Sequence, residues 1–213
     1  AAKRSFITGS ASGLALAMAE LLAQDGWHLG VLDIDRAALD SAVGRLRQAG
    51  AASVTDYAGD VAVHDFVSAA ITGFADAQRG LDVVVNNAGV AVAGAVDATP
   101  PADWEWIVGI NLLGVVWGCR TAVPLLKRQG GGLIFNVASS AGFAAAPQMS
   151  AYNATKSGVI SLSETLAAEL AGTGVQVSVA MPGFFRTHLL DHMHAPPEEM
   201  KLEIGRASCR ERV

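Results

Sequence analysis

Cysteine is nearly absent. Cys119 and Cys209 are the whole complement and lie far apart, so no disulfide framework and no cysteine metal site is written here. Charge is sparse too: 16% of residues are charged and the formal net charge is −5. Without a basic excess, neither nucleic acid nor an anionic membrane is an expected partner. No uninterrupted apolar run reaches the ~18 residues of a membrane span, and the N-terminus lacks signal-peptide order. Repeats, low-complexity linkers and second-domain boundaries are missing as well. The expectation is a soluble, single-domain protein of a reducing cytoplasm.

The chain has 51% hydrophobic residues and 23 glycines among its 213 residues, enough for one sizeable core. Short apolar strands alternate with helical periods. Residues 4–8 read as a strand, then a helix with Leu14, Met18, Leu21 and Leu22 on one face, stopped by Gly26. Strand 29–33 precedes a helix of Leu39, Val43 and Leu46; strand 53–58 precedes one of Phe66, Val67, Ala70, Ile71 and Phe74. The run 81–85 reads as a strand buried on both faces. Pro100 and Pro101 open a short helix, Asn111 starts a longer one ended by Gly130 to Gly132, strand 133–137 follows, then a helix to about Ala171 and strand 175–180. Such alternation predicts right-handed βαβ units: an α/β fold, three-layered, with a doubly wound, Rossmann-like parallel sheet. Ligands of such sheets bind outside the carboxyl ends of the strands.

The first of those ends carries Gly9, Ser10, Ala11, Ser12, Gly13 and Leu14 directly before a helix. Small residues let the backbone approach a pyrophosphate, and the helix N-terminus supplies oriented N–H groups. Asp33 closes the second strand, where an acid can take the ribose hydroxyls of the adenosine half. It would repel a 2′-phosphate, and no arginine occupies the glycine turn, so NAD is favoured over NADP. Asp33 and Asp35 also suit a turn or a helix N-cap. Asp60, followed by Val61, closes the third strand where an adenine edge would lie.

Tyr152 and Lys156 are four apart in a helical segment, so their side chains share one face. A nearby fixed ammonium favours a phenolate and lowers the phenol's pKa. A shift of about three units needs roughly 4 kcal/mol of differential stabilisation. Ser139, thirteen residues upstream, offers a hydroxyl to hold a substrate oxygen while Tyr152 moves the proton.

Together these motifs resemble the short-chain dehydrogenase/reductase family over essentially residues 3–200. Residues 8–15, Thr-Gly-Ser-Ala-Ser-Gly-Leu-Ala, look like its glycine motif; Asn86-Asn87-Ala88-Gly89 looks like its fourth-strand motif. Asn111, Ser139, Tyr152 and Lys156 match its catalytic tetrad, and Pro182-Gly183 with Thr187 its nicotinamide segment. The resemblance implies Tyr152 as general acid/base, Lys156 lowering its pKa and binding the nicotinamide ribose, Ser139 orienting substrate and Asn111 supporting a water-linked proton relay. Asn87 and the Phe185 backbone would touch the cofactor, and Ser140 would be structural. It further implies an NAD-dependent oxidoreductase interconverting a secondary alcohol and a ketone, working as a homodimer or homotetramer. An NADPH-linked 3-oxoacyl thioester reductase and a non-catalytic dinucleotide sensor or scaffold are the alternatives.

Some departures accompany the match. Ala15 replaces the motif's third glycine, which such turns tolerate. Recognisable sequence stops near Leu202, so the last helix and seventh strand are expected to be missing, exposing a sheet edge. One back-translation of residues 204–213 resembles a common short-read sequencing adapter. They are expected to be a non-native tail on a single domain of residues 1–203. Val90, Val92, Phe143, Met149 and Phe184 are candidate linings of an apolar substrate pocket. His188, Asp191, His192 and His194 are read as part of a lid helix and not a metal site, and Trp104 and Trp106 as packing residues.

Overall fold

A computed structural model describes residues 3–183 and 193–194. Six strands form one wholly parallel sheet: β1 (Arg4–Thr8), β2 (His28–Asp33), β3 (Ser53–Ala58), β4 (Val83–Asn86), β5 (Gly132–Val137) and β6 (Val175–Ala180). Their order is β3-β2-β1-β4-β5-β6. Because β1 pairs with both β2 and β4, the winding reverses between β1 and β4, and a crevice opens at their carboxyl ends. This is the Rossmann-like α/β architecture expected from the sequence. The expected loss of a last helix and seventh strand, and the 204–213 tail, fall outside the described residues.

Helices cover both faces. On one side lie α1 (Gly13–Gln24) and α2 (Arg36–Ala49), packed on Ile7, Leu29, Val31 and Val85. On the other lie α3 (His64–Ala77), α5 (Gly114–Gln129) and α6 (Ser150–Glu169), packed on Phe6, Leu32, Val84 and Ile134. Adjacent residues Phe6 and Ile7 thus enter opposite cores, as strand alternation requires.

Two sequence readings need correction. The fully buried face of α1 is Ala15, Leu16, Ala19 and Ala23; of the predicted residues Met18 and Leu22 pack on that core only partly buried, and Leu21 is 63% exposed. Alanines let this helix lie close to the sheet beside the glycine turn, so its bulky residues are displaced to the flanks. Nor does Asn111 start a helix. α4 (Pro101–Val108) passes through a π-helical stretch, Gly109–Leu113, into α5 without a break. Such bulges redirect side chains and gather at functional sites, and here the bulge carries Asn111, which is fully buried. The joined run Pro101–Gln129 reaches a mean hydropathy of 1.4 over 18 residues, long and apolar enough to cross a membrane. Its apolar stripe is instead spent on the core, where Val115, Cys119, Ala122 and Leu126 meet α3 and the sheet. Burial pushes the Cys119 thiol up to about 11, so it behaves as a small inert hydrophobe.

A buried polar pair crosses the sheet beneath the crevice: Asn86 Nδ2 donates to Asn136 Oδ1 at 2.8 Å. Asn136 Nδ2 in turn donates to Ser163 of α6 at 3.0 Å. Gly118 makes room for this pair, since a β-carbon there would lie 1.9 Å from Asn86 Oδ1. Glycine to alanine inside a helix ordinarily stabilises by about 0.5–1 kcal/mol. Here overpacking dominates, and Gly118→Ala is expected to destabilise the fold by roughly 2–3 kcal/mol, read as a lower urea midpoint.

Candidate active site

The carboxyl end of β1 is organised by Thr8, which the sequence reading counted in the glycine motif without giving it a role. Its Oγ1 accepts from the backbone N–H groups of Asn87 at 3.0 Å and Ala88 at 3.1 Å. Asn87 Nδ2 returns bonds to the Thr8 and Gly9 carbonyls. The loops after β1 and β4 are therefore laced together across the crevice. Gly9, at φ +65°, admits no side chain: a β-carbon would meet the Ala88 Cα at 2.7 Å. The clues to Thr8 in the sequence were its place at the head of the glycine motif and a β-branched hydroxyl as the last strand residue before the turn.

The turn then presents the start of α1. Ser12 is its N-cap residue but makes no side-chain cap, and the first turn holds no acidic residue. Its leading N–H groups are thus not neutralised by a side chain, as an anion requires. Asp33 Oδ2 accepts from Ala11 N at 2.9 Å and Oδ1 from Asp35 N at 3.1 Å, so this carboxylate shapes the turn as well as facing it. Asp35 caps α2 through Ala38 N. Asp60 Oδ1 accepts from Ala62 N at 2.8 Å. The Val61 side chain is buried in the core, leaving only its backbone for any ligand. A glycine turn pressed on the β4 loop, an uncapped helix start and a carboxylate at the end of β2 fit a dinucleotide with a free ribose.

Beyond the switch point, β5 delivers Ser139, which caps a short 3₁₀ turn (Ser140–Gly142) by accepting from Ala141 N at 3.2 Å. Pro182 O accepts from Ser140 N at 2.9 Å, so the segment after β6 lies against the Ser139 loop. Tyr152 and Lys156 rise from the first turns of α6, 8% and 4% exposed. The Lys156 Nζ stands 5.7 Å from the Tyr152 ring centroid and donates to Val137 O at 3.1 Å. Asn111 Oδ1 accepts from Val90 N at 2.8 Å, while its Nδ2 donates to Val90 O at 2.9 Å and Thr155 Oγ1 at 3.3 Å. A β-carbon at Gly89 would lie 3.3 Å from Lys156 Nζ and 3.4 Å from Asn111 Oδ1, so amine and amide face one another across that loop. Ser139, Tyr152, Lys156 and Asn111 are brought together from β5, α6 and the π bulge.

One electrostatic expectation is corrected. Burial raises the Tyr152 phenol above its ordinary value, partly offset by a hydrogen bond with Ser139. In the polypeptide alone burial outweighs any acidifying effect of Lys156, whose own ammonium burial pushes down to about 8. Of the pocket candidates, Val92 is buried, Val90 and Met149 are half-buried around Tyr152, and Phe143 is 89% exposed. Phe184, Phe185, Thr187, His188, Asp191 and His192 lie outside the described residues, as does Cys209. Trp104 and Trp106 pack in the Tyr152 cluster, and His194 pairs with Asp103. Among the described residues no histidine, cysteine and carboxylate group could hold a metal.

Residues 3–197 match the family described as short chain dehydrogenase. The chain belongs to the short-chain dehydrogenases. It is 32% identical over 208 residues to 2-(R)-hydroxypropyl-CoM dehydrogenase of Xanthobacter autotrophicus, spanning 96% of this chain and 83% of that one. It is 34% identical over 194 residues to D-beta-hydroxybutyrate dehydrogenase of Rhizobium meliloti, spanning 89% and 74%. Among solved structures, a short-chain dehydrogenase/reductase of Burkholderia phymatum in complex with NAD superposes with a TM-score of 0.90 at 35% identity, covering 98% of this chain and 78% of that one.

The buried amine of this dehydrogenase has a stability signature. Lys156 titrates near 8 when folded, below its ordinary value, so the unfolded chain binds more protons between those pH values and stability rises with pH there. Lys156→Met is expected to stabilise the fold by about 2 kcal/mol at pH 7. That gain should shrink as pH climbs above 8, measured by urea denaturation across pH.

Proposed function

We propose that this dehydrogenase interconverts a secondary alcohol and a ketone using NAD. The carrying observation is the convergence of Ser139, Tyr152 and Lys156 beside the laced loops of β1 and β4. Gly9, Ser12, Gly13 and Leu14 hold the pyrophosphate through the turn and the start of α1. Asp33 takes the adenosine ribose, and Asp60 and Val61 border the adenine. Asn87, Pro182, Phe185 and Thr187 belong to the nicotinamide side. The nicotinamide, when bound, accepts or returns the hydride.

The chain itself handles the proton. Ser139 holds the substrate oxygen, and Tyr152 gives its phenolic proton to that oxygen in reduction or takes it back in oxidation. Lys156 binds the nicotinamide ribose and supplies positive charge behind the phenol. Desolvation raises both the phenol and the neutral amine fraction, so a cofactor with positive charge favours the phenolate needed for oxidation. Asn111 supports the relay behind Lys156 through the Val90 loop. The NAD-bound structural relative and the two hydroxy-substrate dehydrogenases support this reading. An NADPH-linked 3-oxoacyl reductase is disfavoured by the Asp33 charge. Assembly as dimers or tetramers through α5 and α6, a cytoplasmic location, a domain of residues 1–203 and a non-native tail at 204–213 complete the proposal.

Tyr152→Phe removes the proton donor and leaves the cofactor cradle intact. Turnover of ketones with NADH should fall by ~10²–10⁴-fold while NADH binding, followed by fluorescence titration, persists. Equal turnover by the variant and the parent would overturn the assignment. Asp33→Asn retains an acceptor for the turn and removes the charge. Its NADH-to-NADPH preference, compared by kcat/KM, is expected to relax by about tenfold.

A further inference from the structure

Met193 and His194 lie against the loop that follows β4. His194 N donates to Ala91 O at 3.1 Å, and Ala93 N donates to His194 O at 2.9 Å, forming a parallel bridge between Val92 and His194. Beyond this backbone bridge the imidazole is held twice. Its Nδ1 lies 2.9 Å from Asp103 Oδ1, and its ring stacks on Trp106 with centroids 4.1 Å apart and planes 12° from parallel. Both partners project from α4, the helix leading into the π bulge. The neighbouring Met193 packs in the apolar cluster of Ala91, Val92, Ile107, Ala151 and Tyr152.

The other flank of the same loop is pinned in the same manner. Gly94 N donates to Gln148 O at 2.8 Å, and Gly94 bridges to Met149. Met149 joins the same cluster. Two methionines therefore flank the Val92 loop, packed on the cluster that contains Tyr152. Unbranched thioether side chains adapt to substrates of varied shape, but Met193 keeps its place only if its backbone is anchored. His194, Asp103 and Trp106 are that anchor.

Resting on the alcohol–ketone reading, we propose that His194 is a positioning residue, clamped by Asp103 and Trp106, that holds Met193 as an apolar wall of the substrate pocket next to Tyr152. The site then favours a ketone whose substituent on one side is apolar, and the clamp governs substrate binding without touching the reacting atoms.

The test compares His194→Ala, Asp103→Asn, Trp106→Phe and Met193→Ala in the full chain, with NADH and a series of methyl ketones bearing alkyl or aryl groups of increasing size. For His194→Ala and Asp103→Asn, KM for the ketone should rise about three- to tenfold, with kcat within about twofold and NADH binding unchanged. The double variant should be no worse than His194→Ala. Trp106→Phe keeps a stacking ring and should be milder; Met193→Ala should shift preference toward the larger ketones. Unchanged KM values in both His194→Ala and Asp103→Asn would overturn the clamp, and so would a fall in kcat without a rise in KM. Hydrogen exchange at the Ala93 amide reads the clamp without turnover. It should be protected in the parent and faster in His194→Ala. A parent that binds no NADH and turns over no ketone while showing that protection would sink the functional reading and leave the clamp; unaltered Ala93 exchange would sink the clamp by itself.

Discussion

An ammonium group sealed from solvent with one backbone acceptor is the constraint around which this dehydrogenase is arranged. Lys156 reaches from α6 to Val137 O at the end of β5, and its surroundings penalise the charge it carries at neutral pH. A fold tolerates such a penalty when the group is held for use rather than for stability. The neighbours follow from it: Tyr152 one turn back on the same helix, Asn111 across Gly89, and Ser139 at the exit of the strand that supplies the acceptor.

Holding that group still requires rigid supports on every side, and each is a short polar tie between elements distant in sequence. Thr8 binds the β4 loop to the β1 turn. Asn111 grips Val90 and Thr155. Asn86, Asn136 and Ser163 join β4, β5 and α6 under the crevice. These bonds are buried or partly buried, where a missing partner is expensive, so the loops around the crevice inherit the order of the sheet.

Much of this was legible in the chain. Strand-turn-helix alternation fixes the doubly wound sheet, because parallel strands need covered faces and crossover helices. The four-residue step from Tyr152 to Lys156 forces one face on any helix, and an acid after β2 can reach a ribose in any such fold. The bridging roles of Thr8 and Thr155 were not legible, because a single hydroxyl looks the same whether it ends a strand idly or bridges two loops. The packed face of α1 misled for a related reason. Hydrophobic size marks a core helix in general, but close approach to the sheet beside the glycine turn selects alanine.

The amino-acid order alone determined the fold class, the glycine turn before α1 and the shared helical face of Tyr152 and Lys156, since these depend on periodicity and on spacing along one element; Asn111 and Ser139 joined them only through the family resemblance. Tertiary structure alone decided the rest. The π bulge that turns Asn111 inward, the direction in which burial moves Tyr152 and Lys156, and the return of His194 onto Trp106 and Asp103 all arise between residues far apart in the chain. Their physical cause is contact and desolvation, which exist only once the elements have packed.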